Sequence, residues 1–488
     1  MSGSPDASAY LEKSRRNQKA CPMTKALEIV ERCKSILDSK TLERSDCLEI
    51  CSAVNFYFTN GRPRLFRDVE PKIRSRFKEI LANLTVEEGI AYTDNFFLLS
   101  YNMADDARMG QKDIHDDICM SYLEWLQNQN VNIEFSKGQL DKNHILFLCR
   151  HATTAGGYAP GMSVYTFSKA LTMVGYKVSV LAMGNIDQRF NAFARANPNV
   201  ELFQVNDKQI SKKLQGVLSV IQEVKPGIIL TEIEFGVPAF LSIQKLPIPI
   251  IYLSAGYYNL PWYDRIGLTD TLSQNPISTY KDKFFEIPTY VDMDILSPSV
   301  DINVINDARQ HLGFSRMDLV VGAFARMEKF SPEFLEMLCK MMLENGRIKT
   351  LLAGPNDKDR VVQHLKPFIE EGRCVVLGAS DVHVLGHLLT FGIDTFPNHS
   401  GFTLNELMAK GVPVLTKWTE TIDANWKMRM PELIFKTENE LLSFVSQTSD
   451  DHKSYAELCA KSKEFIRSKE RHQEFADSLM DEISSLSS

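Results

Sequence analysis

The sequence predicts an α/β protein with two consecutive, doubly wound parallel sheets behind an all-helical amino-terminal domain. Three observations predict this. Before Asn143 apolar residues recur at three- and four-residue spacing and strand signals are nearly absent, a helical pattern. After Asn143 short apolar runs alternate with helix-length segments, the pattern of buried strands in βαβ units. A proline-bearing stretch interrupts that alternation once, and the series then starts again.

The helical pattern is clearest over 23–37, 73–84 and 113–127. Residues 1–140 are therefore expected to be a helical domain with its own core, its first residues, to about position 20, flexible. The polar stretch QNQNVNIEFSKGQLDKN (127–143) marks the expected join. The first strand series is HILFLC (144–149), KVSVLAM (177–183), VELFQV (200–205), GIILTE (227–232) and IPIIYL (248–253). The second is DLVVGAFA (318–325), KTLLAG (349–354), CVVLGA (374–379), FGIDTFP (391–397) and VPVLT (412–416). Between them, EIPTYVDMDILSPS (286–299) reads as a linker. The expected domains are 1–140, 141–290 and 291–488, the last ending in charged helices that are able to pack back across the chain.

Bulk composition excludes several classes. A net charge of -7 lacks the basic surplus of a nucleic-acid binder. No apolar run approaches the ~18 residues of a membrane span, and the start lacks the apolar core of a secretory signal. The nine cysteines form no CxxC pair and several lie in apolar runs, so reduced core thiols in a cytoplasmic protein are expected. Histidines are not at ligand spacing, and no metal is expected.

Chemistry concentrates in DTFPNHSGFTLNELMAKGVPVLT (394–416). A strand ends at Phe396, a loop follows, and a helix opens near Phe402 and Thr403. A helix start presents free N–H groups and a positive dipole end, which together suit an anion. Ser400 and Thr403 add hydroxyls, Gly401 lets a phosphate approach the backbone, and Glu406 on the first turn suits ribose hydroxyls. The competing reading is ordinary helix capping by the same residues. Arg326 and Lys329 follow the strand at 318–325, where a crevice opens. Lys329 is expected to face solvent there. His383 follows the strand at 374–379. In the first sheet, HATTAGGYAPGMSVYTFSKAL (151–171) places Gly156, Gly157 and Gly161 in a turn between strand and helix. His151, Glu232 and Glu234 stand at strand ends as candidate bases for an acceptor hydroxyl.

These segments resemble the nucleotide-sugar motifs of GT-B glycosyltransferases, the O-GlcNAc transferase group and its bacterial HMW-adhesin-type relatives above all. PIPIIYLSAGYYNLPWYDRIGLTD (247–270), GAFARMEKFSPEFLEML (322–338) and CVVLGASDVHVLGHLLTFGIDTFP (374–397) are similar to further family segments in the same order. The loop at 254–256 lacks the histidine before a proline that the O-GlcNAc transferase group carries. The resemblance implies two facing Rossmann-like domains. It also implies a donor site of Arg326, Lys329, His383, Ser400, Gly401, Phe402, Thr403 and Glu406. Lys329 would neutralise the leaving diphosphate. Gly156, Gly157, Tyr257 and Asp264 would lie on the acceptor side, with His151 or Glu232 catalytic.

The reaction so implied is metal-independent transfer of a hexose or N-acetylhexosamine from a UDP-sugar to a protein or glycan acceptor. The UDP-sugar is a co-substrate and no cofactor is expected. Two other classes compete: a catalytically inactive, partner-binding relative, and a nucleotide-sugar epimerase, for which no paired carboxylates are identifiable.

Overall fold

The computed structural model describes residues 23–59, 66–103, 118–129, 140–154, 158–233, 236–244, 246–254, 260–269, 281–355, 358–419 and 428–486. Contacts divide the chain into two compact units, one of residues 20–289 with 472–488 and one centred on residues 290–471.

The first unit holds a seven-stranded, all-parallel sheet. Its strands are β1 (Asp141–Cys149), β2 (Lys177–Ala182), β3 (Val200–Gln204), β4 (Pro226–Thr231), β5 (Ile250–Ser254), β6 (Arg265–Thr269) and β7 (Phe284–Ile287), in the order β3-β2-β1-β4-β5-β6-β7. The last six residues of β1 are all buried, as a central parallel strand covered on both faces requires. The second unit holds β8 (Leu319–Phe324), β9 (Ile348–Ala353), β10 (Cys374–Leu377), β11 (Phe391–Ile393), β12 (Val414–Lys417) and β13 (Ile434–Phe435), in the order β10-β9-β8-β11-β12-β13, also parallel. In both sheets the winding reverses between the first and fourth strands of the series. In open parallel sheets that switch point, at the carboxyl ends of the strands, is where ligands bind.

Every apolar run expected as a strand contains one, but β11 stops at Ile393, short of the strand end expected at Phe396. β6, β7 and β13 were not expected. Glu286 and Ile287 close β7, so the linker is shorter than the sequence suggests. Its remainder is ordered: Val291 and Leu296 are buried in the second unit's core.

The helical start does not form a core of its own. Its helices run Met23–Leu37, Arg44–Thr59, Glu70–Ser75, Phe77–Ala82, Val86–Met103 and Met120–Asn128. One buried apolar cluster extends from Ala26, Phe96 and Trp125 in these helices to Leu146, Ile229, Phe240 and Trp262 around the sheet. Tyr122 packs edge-on against Trp262 at 6.2 Å, and the side-chain hydroxyl of Ser211 donates to Glu87. The expected boundary at residue 140 is therefore corrected: apolar stripes show that a helix is buried, not what buries it. The carboxyl end is corrected too. The helix His472–Leu486 belongs to the first unit, where Phe475 stacks on Phe167 at 4.6 Å.

A chain starting at residue 141 should accordingly fail to fold cooperatively, because Phe240, Trp262 and the sheet face behind them would lose their cover. Circular dichroism of that fragment checks this. A sharp melt at the full-length temperature would restore the independent helical domain.

Candidate functional site

The second unit's switch point lies between β8 and β11. Beyond β11 the backbone turns through Asp394–Ser400 and enters the helix Phe402–Ala409. The loop's shape is set from below by Asp394, which is fully buried. One of its oxygens accepts the Ser400 N–H at 2.8 Å. The other meets the His399 ring Nδ1 at 2.8 Å and the Arg429 Nε at 2.9 Å. Arg429, itself buried, donates a second nitrogen to the Ser400 carbonyl at 3.1 Å. Burial pushes the Asp394 carboxyl up, but Arg429, His399 and the Ser400 N–H outweigh it and hold the group at about 2.

The capping reading fails on this geometry. The helix Phe402–Ala409 begins at Gly401, which supplies no side-chain cap. The Ser400 hydroxyl is instead 3.1 Å from that of Thr395. Glu406 is corrected in position: it lies on the second turn and is buried, away from the helix start. Neighbouring helices Pro332–Glu344, Glu438–Asp450 and His452–Arg467 are each capped, by Ser331, Thr437 and Asp451. A Cβ placed on Gly401 would meet no atom of the described residues within 4 Å. Phe402 and Thr403 are half-buried at its mouth.

Lys329 comes to the same place from β8. A short helical turn, Met327–Lys329, follows that strand, and the Lys329 Nζ donates to the His399 carbonyl at 2.8 Å. The expectation of a solvent-facing lysine is corrected: burial, then the neighbouring Arg326 charge, pulls its ammonium down to about 8, against Asp394. Below the helix, Glu406 has one carboxylate oxygen that is buried without a hydrogen-bond partner. Burial raises the Glu406 carboxyl and lowers the Lys410 ammonium one turn on, while each group's charge opposes the other's shift. Lys410 Nζ reaches the Leu296 carbonyl at 2.5 Å and His383 Nδ1 at 3.3 Å, which places His383 beside Glu406's helix.

In the first unit the switch point lies between β1 and β4. His151 and Glu232 stand just past these strands. The Glu232 Oε1 accepts the Arg150 N–H at 2.9 Å. The His151 Nδ1 accepts the Asn185 N–H at 3.1 Å, so a neutral His151 carries its proton on Nε2 and offers no lone pair there. Burial, then Arg150 and Lys213, lowers its pKa. Asp264 is corrected. It precedes β6 and bonds Ile250 at the start of β5 (2.7 Å), at the amino ends of the strands, away from the switch point. Gly161 packs on the Thr153 carbonyl, which a Cβ would approach to 2.0 Å. Gly156, Gly157, Glu234 and Tyr257 lie outside the described residues.

Solved structures share this architecture over most of their length. An O-GlcNAc transferase mutant of Thermobaculum terrenum superposes with a TM-score of 0.55 at 14% identity, covering 98% of this chain and 98% of its own. A glycosyltransferase of Rickettsia africae gives 0.54 at 13%, covering 71% and 98%. Anabaena HepE in complex with UDP and glucose gives 0.51 at 15%, covering 70% and 99%. The fold is GT-B. No family model matches the chain. No curated protein matches it either.

Within this GT-B chain the structure gathers Lys329, Ser400, Gly401, Phe402 and Thr403 at one helix start, with Arg326 beside Lys329 in sequence and charge. Glu406 and His383 gather around Lys410, a residue not singled out in the sequence. Arg429 and Asp187 were also missed. Asp187 Oδ2 accepts the Thr154 N–H at 2.6 Å and pins the chain leaving β1, while Oδ1 caps the helix Gln188–Ala196. An Asp just before a helix was a readable capping signal; Arg429 carried none. Among the described residues no group of three or more His, Cys, Asp or Glu side chains is placed to hold a metal ion, and no helix is long and apolar enough to cross a membrane. The described cysteines are free, and burial pushes the Cys374 thiol up to about 12, consistent with core thiols.

Proposed function

We propose that the chain is a metal-independent glycosyltransferase that moves a hexose or N-acetylhexosamine from a UDP-sugar to a hydroxyl or amide of a protein or glycan acceptor. The observation that carries this is the uncapped helix start at Gly401, where no described atom stands against a Cβ, flanked by Lys329. Its amides and dipole face a site where nothing in the helix's own cap satisfies them, which suits a diphosphate. As the sugar leaves, charge grows on that diphosphate, and Lys329 with the helix end supplies the opposing positive charge without a metal. Glu406's unpartnered oxygen suits a ribose hydroxyl, and His383 borders the same pocket of residues. The similar fold of Anabaena HepE, whose structure holds UDP and glucose, supports a uridine nucleotide as donor.

UDP should therefore raise the melting temperature while uridine does much less. At about a hundredfold excess over Kd, binding to the folded state alone adds about 2.7 kcal/mol. Gly401→Val should melt normally without ligand, because a Cβ there meets no described atom, and lose the UDP shift. Equal shifts from UDP and uridine, or a Gly401→Val chain that responds to UDP as the parent does, would remove the helix start as the phosphate site.

A further inference from the structure

We propose that His151 and Arg150, with Lys213 beside them, form an oxyanion-binding subsite of the first unit, one that takes the carboxylate or phosphate group of an acidic acceptor. All three residues belong to that unit. Calling the ligand an acceptor rests on the glycosyl-transfer reading above; the anion site itself does not.

The first observation is the state of His151. Its Nδ1 accepts the Asn185 backbone N–H at 3.1 Å. A backbone N–H only donates, so Nδ1 carries no proton and the neutral ring bears its proton on Nε2. Protonating Nδ1 would set two N–H groups against each other. Burial, then the charges of Arg150 and Lys213, lowers the His151 pKa in the same sense. At neutral pH the ring is a hydrogen-bond donor at Nε2.

The second is that the ring is built into place. It lies so close over Gly184 that a Cβ there would stand 2.4 Å from Nδ1 and 2.5 Å from Cε1. Tyr158 meets it edge-on at 5.9 Å. Just beyond, Asp187 Oδ2 holds the Thr153 hydroxyl at 3.2 Å and the Thr154 N–H at 2.6 Å, so the segment leaving β1 is fixed. Yet His151 is exposed, and its Nε2 has no hydrogen-bond partner among the described residues. A fixed ring with its N–H still to be donated thus stands just past the carboxyl end of β1, at the switch point, where a ligand binds in this class of fold.

The third is charge. Arg150 and Lys213, the charges that shift His151, are both positive. Arg150 follows β1 directly and its side chain is 27% exposed. Lys213 is half-buried, in the first turn of the helix Ile210–Val224. The nearby carboxylates bear on Arg150 instead. Asp94 Oδ2 lies 3.6 Å from Arg150 Nη1, a loose pairing, and Glu232 Oε1 accepts the Arg150 N–H. Neither is among the charges that shift His151. A directed N–H beside a guanidinium and an ammonium suits a carboxylate or a phosphate, whose several oxygens accept from all three. A neutral sugar hydroxyl would use the donor and leave the charge unanswered.

NMR of the full-length chain tests this, with UDP saturating so that a phosphate site in the second unit is already filled. Imidazole nitrogen spectra at neutral pH should show His151 protonated at Nε2. Titration with inorganic phosphate and, separately, with glucuronate should give a saturable shift of the His151 ring, while glucose gives none. Whichever anion binds more tightly names the source, a phosphate ester or a uronate. His151→Asn puts a carbonyl oxygen where Nδ1 stood and removes the far donor. It should keep its melting temperature and weaken the tighter anion by about 10–100-fold, read at the Asn185 amide. Lys213→Met should weaken binding too, with a shallower salt dependence. An Nδ1-protonated His151, an equal response to glucose, or parent-like affinity in either variant overturns the subsite. Should His151→Asn fail to fold, Lys213→Met decides alone, and a salt dependence unchanged from the parent overturns the subsite. A chain whose melting is unmoved by UDP overturns the donor reading instead, and the titration at His151 still stands or falls by itself.

Discussion

Asp394→Asn is expected to destabilise the protein by about 3–5 kcal/mol, the usual effect of removing one partner from a buried ion pair. The Arg429 side chain is 2% exposed and Asp394 is fully buried, so the guanidinium left behind has no water to turn to. The amide oxygen of Asn can still accept from Ser400, which isolates the loss to charge and to the His399 contact. Replacing Asp394 by Leu and Arg429 by Met together should be milder than either single change, because no uncompensated charge remains. The pH dependence has a definite sign. The folded carboxyl sits at about 2 against an ordinary 3.8, so its contribution is complete above about 4 and is lost as pH falls toward and through 2. Denaturant unfolding at several pH values should show that acid limb in the parent and a flatter one in Asp394→Asn. The ligand should feel the change as well. Asp394 and Arg429 hold both the N–H and the carbonyl of Ser400, so a loosened loop should weaken UDP binding although neither side chain is assigned to the ligand. A loss under about 1 kcal/mol would show that the pair is not what holds the loop.

Most of the fold was legible because parallel strands covered on both faces become unbroken apolar runs. β1 and β8 are of this kind. β7 and β13 are edge strands: β7 alternates buried and exposed residues and β13 has two half-buried ones, so neither stands out from loop. β6, with Arg265 and Gly267 among five residues, gives no run either. The boundary at residue 140 misled because periodicity reports that Phe96 and Trp125 are buried, and partners such as Trp262 lie far along the chain. The helix start at Gly401 was readable as strand, loop and helix in immediate succession. What fixes it was not: Arg429 lies 35 residues beyond Asp394, outside the motif.

Lys329→Met is expected to lower donor turnover by about 10²–10³-fold, as when one transition-state charge stabiliser is deleted, while leaving stability unchanged or raised. The second half follows from burial. The folded ammonium sits at about 8 against an ordinary 10.5. A lysine with a depressed pKa destabilises the folded state by its full amount below about pH 8, and the effect disappears as pH rises through 10.5. At neutral pH that penalty is at most on the order of 3 kcal/mol, reduced because the half-buried side chain still meets solvent and because Nζ bonds the His399 carbonyl. Met fills a similar volume without the charge. A site that keeps an unfavourable, half-buried cation and gains rate from it is the trade expected of catalytic machinery. The same depressed pKa predicts how UDP binds. A diphosphate arriving beside Lys329 favours its charged form, so binding takes up a proton above about pH 8 and affinity falls as pH climbs past that value. Calorimetry in buffers of different ionisation enthalpy would measure the uptake. Glu406 and Lys410 are also perturbed nearby, so the comparison with Lys329→Met, rather than the profile alone, assigns the proton. If affinity in the parent is as pH-dependent as in Lys329→Met, or if the variant turns over normally, the lysine is structural and the positive charge opposing the leaving diphosphate comes from elsewhere in the loop.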